Sequence, residues 1–205
     1  MQDAQAPEKT PVRFLTALFF ASGSAGLLYQ VAWQRLLFAA FGVDLESVTI
    51  VVSAFMLGLG CGALAGGWLA DRWPGRTLAL FAGAEAGIGL FGLVSPRVIH
   101  AAGDQFVGAS LPVVAAANFL VVLVPASLMG ATLPILIAHV ARGWSSVGRA
   151  TGHLYAANTL GAGVGVFALA FVLFAYLPLN GAIYLAASIN LGVALLAALR
   201  LQRKA

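Results

Sequence analysis

The chain is 205 residues long, 61% hydrophobic and only 9% charged, with a mean hydropathy of +0.96. A soluble domain carries about 25% charged residues, so this composition excludes a single water-soluble globule and points to an integral membrane protein. The net charge of +4 comes from basic residues that stand singly between apolar runs, which excludes nucleic acid as a partner and leaves the lipid bilayer as the first one.

A helix needs about 20 apolar residues to cross the hydrocarbon core. Six stretches meet that length, at about 13–40, 46–70, 77–99, 108–140, 148–176 and 179–200. Before them, residues 1–12 are polar and read as a disordered cytoplasmic N-terminus. Lys9 and Arg13 precede an apolar run, as in a signal peptide. No A-x-A-like site follows, and the run continues into Tyr29, Gln30, Trp33 and Arg35, so it reads as an uncleaved first span. Its length predicts that it runs on along the membrane interface, carrying Trp33 and Arg35. In the second span Gly58, Gly62 and Gly66 lie four apart on one face, and Gly83/Gly87 and Gly161/Gly165 repeat the spacing in the third and fifth. Such faces let helix backbones approach closely in lipid, where packing replaces the hydrophobic drive. Cys61 is the only cysteine, so an intrachain disulfide is excluded.

Between the second and third spans the chain reads Gly66-Gly67-Trp68-Leu69-Ala70-Asp71-Arg72-Trp73-Pro74-Gly75-Arg76, a charged turn of the kind that reverses a membrane chain. The fourth span contains Pro112, Pro125 and Pro134, which predict kinks or a short entering segment. Residues 202–205 form a cytoplasmic tail. With the N-terminus inside, the inner face collects Lys9, Arg13, Arg72, Arg76, Arg142, Arg149, Arg200, Arg203 and Lys204, and the outer face only Arg35 and Arg97. The positive-inside rule then places both termini in the cytoplasm.

Glu85 is the sharpest chemical candidate. It lies eight residues into the third span, about 12 Å from the cytoplasmic end at roughly 1.5 Å per residue. An intramembrane carboxylate is a functional-site hypothesis by default: a proton- or cation-binding group, set against a structural Glu hydrogen-bonded between helices. Tyr155 and Asn158 could line one cavity with it. Asp71 could engage Arg76 or cap the next helix. Asp44 and Glu46 in the outer loop near Arg35 read as a surface ion pair. Asn118, His139, His153 and Asn190 are the other polar groups in or near spans, the two histidines as interfacial residues. No His/Cys/Asp/Glu cluster has metal-ligand spacing, so neither a metal nor a cofactor is expected. Gly161, Gly163 and Gly165 sit within an apolar helix and read as packing. No phosphate loop, G-x-S-x-G elbow or H-E-x-x-H occurs.

The turn at Gly67, Asp71, Arg72, Gly75 and Arg76 resembles G-x-L-A-D-R-x-G-R, the loop between the second and third helices of major facilitator superfamily transporters. That resemblance implies a gating or packing role for Asp71 and Arg76. Over most of residues 14–175 a more specific group fits. Ser22-Gly23-Ser24-Ala25-Gly26-Leu27-Leu28-Tyr29-Gln30-Val31-Ala32-Trp33-Gln34-Arg35 is similar to the S-G-x-x-G-L-x-Y-E-V-x-W-x-R opening of the membrane domain in bacterial fused facilitator/spermidine-synthase-like proteins. Gly67-Trp68-Leu69-Ala70-Asp71-Arg72, Glu85 with Gly87-Ile88-Gly89-Leu90, Gly130-Ala131-Thr132-Leu133-Pro134 and Gly152-His153-Leu154-Tyr155-Ala156-Ala157-Asn158 continue the likeness. Gln30 departs from the family's usual Glu. Fused members also carry a soluble aminopropyltransferase-like domain with an S-adenosylmethionine-type site, for which residues 1–205 offer no counterpart.

The sequence therefore predicts an all-α, polytopic inner-membrane protein of bacteria, a half-major-facilitator-like bundle of six transmembrane helices with both termini cytoplasmic. The leading expectation is a half-size transporter of a small cationic or amine-bearing solute, not itself an enzyme. Glu85, Asn158 and Tyr155 would bind solute or proton, and a homodimer or a second six-helix unit would complete it. The alternative is a non-transporting membrane anchor or scaffold for a separate polyamine aminopropyltransferase-like enzyme or a larger complex.

Overall fold

The structure is a computed structural model and describes residues 12–41, 45–106, 108–141 and 146–202. Lys9, Asp44, Arg142, Arg203 and Lys204, the side chain of Glu46, residues 1–11 of the predicted N-terminal segment and residues 203–205 of the predicted tail lie outside them. The described chain is built from helices: α1 (Val12–Phe41), α2 (Leu45–Arg72), α3 (Thr77–Gln105), α4 (Leu111–Ala141), α5 (Val147–Ala168), α6 (Phe174–Tyr176) and α7 (Leu179–Gln202). A π-helical turn, Leu169–Leu173, joins α5 to α6, so that Val147–Tyr176 makes one long apolar rod. Six rods of this kind are long and apolar enough to cross a membrane.

The reversal between α2 and α3 is tight. Trp73 N donates to Leu69 O at 3.0 Å, Arg76 N donates to Trp73 O at 2.9 Å, and Pro74–Arg76 form a single 3-10 turn. Pro74 suits the first position of that turn because its missing N–H has no helical partner there. Ser146 starts α5 by accepting from the Arg149 N–H, which satisfies one of the free donors at a helix N-terminus.

Packing follows an internal repeat. α1 lies along α5 as α2 lies along α4, and α1 meets α7 as α4 meets α3. Exchanging α1 with α4, α2 with α5 and α3 with α7 maps this scheme onto itself. A unit of three consecutive rods ends at the face opposite to its start, so the second unit runs inverted relative to the first.

Small residues make the two equivalent seams possible. A Cβ on Gly62 or Gly66 would strike the backbone of Ser127 or Ala131 on α4, and one on Gly58 would lie 2.6 Å from Ala126 Cβ. A Cβ on Gly161 or Gly165 would strike the backbone of Phe20 or Ser24 on α1. Gly130 on α4 and Gly23 on α1 meet Leu59 and Asn158 in the same way from the other side. Backbone contact this close is open only to helices without side chains at the crossing.

Prolines do not interrupt the rods. α4 stays helical through Pro125 and Pro134, and α3 continues through Pro96 and Arg97 to Gln105, beyond the predicted 77–99 stretch. Pro96 has no N–H to give the Gly92 carbonyl four residues back. The Ser95 hydroxyl donates to Gly92 O instead, at 3.0 Å, and itself accepts from Trp33 Nε1 at 2.8 Å. Trp33 is thereby a core residue, 1% exposed, packed against α3. It stacks on Tyr29 with ring centroids 4.5 Å apart and meets Phe91 edge-on.

Candidate functional site

The apolar core falls into two clusters, and a polar layer separates them. On α1 one cluster ends at Phe19 and the other begins at Ala25; on α3 the boundary runs between Ala82 and Ile88; on α7 it runs between Ala187 and Val193. The buried polar residues in these three gaps are Ser22, Glu85 and Asn190.

They are bonded to one another. Ser22 Oγ donates to Glu85 Oε1 at 2.6 Å, and Asn190 Nδ2 donates to Glu85 Oε2 at 2.6 Å. Both carboxylate oxygens of Glu85, which is fully buried, thus have a donor from another helix. α3 and α7 are the pair that the internal repeat maps onto each other, and each contributes one polar residue to this contact. A buried polar group without a partner costs about 1–3 kcal/mol, so Glu85 depends on both Ser22 and Asn190 for its donors. Oδ1 of Asn190 and the Tyr29 hydroxyl have no hydrogen-bond partner among the described residues.

On the other side of Ser22 lies a cavity of about 110 Å³ between α1, α2, α4 and α5, reached by Gln30, Thr132 and Asn158. Of the residues that the sequence singles out for binding, Asn158 therefore lines this cavity, whereas Glu85 is joined to its wall only through Ser22. Tyr155 stands apart, 59% exposed on α5. Asp71, Arg72, Gly75 and Arg76 are exposed at the turn, with Gly67 half-buried one turn before it. In the family-like opening, Tyr29 and Trp33 are core residues, Gln30 lines the cavity, and exposed Arg35 places its guanidinium 4.2 Å from the Phe174 ring centroid. Near the N-terminal end of α3, the Thr77 hydroxyl and His139 Nδ1 are 2.9 Å apart. A wider groove of about 800 Å³ runs between α1 and α5, past Arg13 and His153.

Ser22 and Thr132 enter the sequence reading only as members of the family-like stretches and are given no chemical role there, because a lone hydroxyl in an apolar run carries no pattern of its own. For Ser22 one signal was available: it precedes Tyr29 by seven residues, two helical turns, and so shares the face of α1 that meets α3.

The chain is similar to curated proteins named polyamine aminopropyltransferase. It is 32% identical to one from Corynebacterium efficiens over 177 residues, covering 84% of this chain and 32% of that protein. It is 29% identical over 187 residues to one from Mycobacterium tuberculosis, covering 88% of this chain and 34% of the relative. Polyamine aminopropyltransferase 2 of Streptomyces coelicolor is 29% identical over 192 residues, covering 87% and 34%. The chain spans about a third of the length of these curated relatives. No protein-family model matches it, and no solved structure does.

These relatives overturn two expectations. The half-size transporter is corrected, because the matched proteins bear the name of an enzyme that transfers aminopropyl groups. The expectation that the chain is not an enzyme, in its anchor-only form as well, is corrected on the same ground. Composition and helix length misled here because they report the solvent around a chain and carry no information about chemistry.

Proposed function

We propose that this chain is the membrane-embedded six-helix part of a polyamine aminopropyltransferase of the fused, spermidine-synthase-like type, and that it serves aminopropyl transfer to a polyamine at the bacterial inner membrane. One observation carries the reading: the likeness covers more than four fifths of this chain but only a third of each relative. In this chain the matched stretch is the part that holds the six apolar rods. Both termini are cytoplasmic in this reading, because Arg13, Arg72, Arg76, Arg149 and Arg200 fall at one end of the rods and only Arg35 and Arg97 at the other. The Ser22–Glu85–Asn190 layer would fix the register of α1, α3 and α7, since both Glu85 oxygens find their donors in one arrangement only.

The test is affinity capture of the tagged chain from its native membranes in mild detergent, followed by incubation with a labelled polyamine and an aminopropyl donor of the S-adenosylmethionine class. The expected result is a product longer by one aminopropyl unit, read by mass spectrometry, which falls to background in membranes from cells lacking the chain. Capture of intact, folded chain without transfer activity overturns the reading.

A further inference from the structure

The cavity beside Ser22 presents hydrogen-bond acceptors. The Ser22 hydroxyl already donates its hydrogen bond to Glu85, and the Thr132 hydroxyl donates its own to Met129 O at 2.7 Å. A hydroxyl whose hydrogen is engaged elsewhere can still accept through its lone pairs. Both oxygens belong to residues on the cavity wall, where Gln30 and Asn158 add amide groups with further acceptor oxygens. Behind Ser22, one hydrogen bond away, stands the Glu85 carboxyl group. The described wall contains no lysine, arginine or histidine.

Such a wall suits a ligand that brings donors and positive charge. Size narrows the class. The cavity measures about 110 Å³, and a liquid-phase water takes about 30 Å³, so there is room for roughly four non-hydrogen atoms. An aminopropyl end has one nitrogen and three carbons. Its ammonium would meet the acceptors, and its methylenes would lie against Met129 and the open side of Gly26, where a Cβ would come no closer than 3.9 Å to the Met129 sulfur.

We propose that the cavity between α1, α2, α4 and α5 is a binding site for the primary ammonium end of an aliphatic polyamine, its three N–H groups donating to acceptors drawn from Ser22, Thr132, Gln30 and Asn158, with Glu85 backing the site through Ser22. The choice of a polyamine rests on the aminopropyltransferase reading; the acceptor geometry and the size do not.

The experiment is equilibrium binding of labelled spermidine to the purified full chain in detergent, with propanol as the uncharged competitor and propylamine as the charged one. Saturable binding displaced by propylamine and not by propanol is expected. Gly26→Leu adds a side chain where a Cβ meets nothing closer than the Met129 sulfur at 3.9 Å, and is expected to weaken binding at least tenfold. Thr132→Val removes one acceptor at nearly constant shape and is expected to weaken it several-fold. No saturable binding to chain shown by its thermal unfolding profile to be folded overturns the site, as does unchanged affinity in folded Gly26→Leu. The two readings separate cleanly: aminopropyl transfer without amine binding overturns the cavity alone, and amine binding without transfer overturns the transferase reading alone.

Discussion

Ser22 on α1 and Glu85 on α3 are joined by a 2.6 Å hydrogen bond in a layer where the apolar core is interrupted on both helices. The hydroxyl is the donor, so Glu85 depends on Ser22 for one oxygen and on Asn190 for the other. Ser22→Ala and Asn190→Ala each leave one buried carboxylate oxygen without its donor. Each is expected to destabilise the bundle by about 1–3 kcal/mol. The double variant should cost less than the sum, because the second deletion acts on a layer already disrupted. Reversible unfolding in mixed micelles measures this, and strict additivity would show that the two donors do not act on one group.

Ser95 replaces a backbone donor that Pro96 lacks, which sets up a conditional prediction. Ser95→Ala strips the Gly92 carbonyl of its hydroxyl donor and Trp33 Nε1 of its acceptor. In the background of Pro96→Ala the restored N–H can bond Gly92 O, so the cost of Ser95→Ala should fall by about 1 kcal/mol. An equal cost in both backgrounds would remove the account given for α3 continuing past its proline.

Six rods were legible because run length alone decides whether a segment is long enough to span a bilayer, and lengths are written in the sequence. The close seams were legible in part: Gly58, Gly62 and Gly66 announce a face, but not that α4 covers it. The polar layer was not legible. Glu85 stands out as a charge in an apolar run, whereas Ser22 and Asn190 become its partners only through register between helices 63 and 105 residues away. The burial of Trp33 was missed for a related reason. A tryptophan near the end of a span resembles an interface anchor, and only the position of Ser95 on another helix shows where its N–H goes.

Glycines at the α2–α4 seam should differ sharply from glycines beside it. A Cβ at Gly62 would run into the Ser127 carbonyl, whereas a Cβ at Gly60 meets nothing within 4 Å. Gly62→Ala is expected to cost at least the roughly 1–3 kcal/mol of ordinary overpacking, since backbone must move. Gly60→Ala should be neutral or stabilising by up to about 1 kcal/mol through helix propensity. The same contrast applies to Gly161→Ala against Gly163→Ala on α5. Parallel unfolding measurements on these pairs check it, and equal losses within a pair would contradict the seam.

Cys61 offers a direct reading of insertion. It is exposed on the outer surface of α2, eleven residues before Arg72, which places it about 16 Å along the helix from the charged turn. That depth is near the middle of a hydrocarbon core of about 30 Å. A water-soluble reagent does not enter that apolar layer. In intact membranes a water-soluble maleimide is therefore expected to leave Cys61 unlabelled, and to label it once the protein is denatured. In a Cys61→Ser background, Arg76→Cys at the exposed turn should label readily from the cytoplasmic side. Rapid labelling of Cys61 in sealed membranes would show that α2 lies in water, and the proposed six-span topology would fall with it.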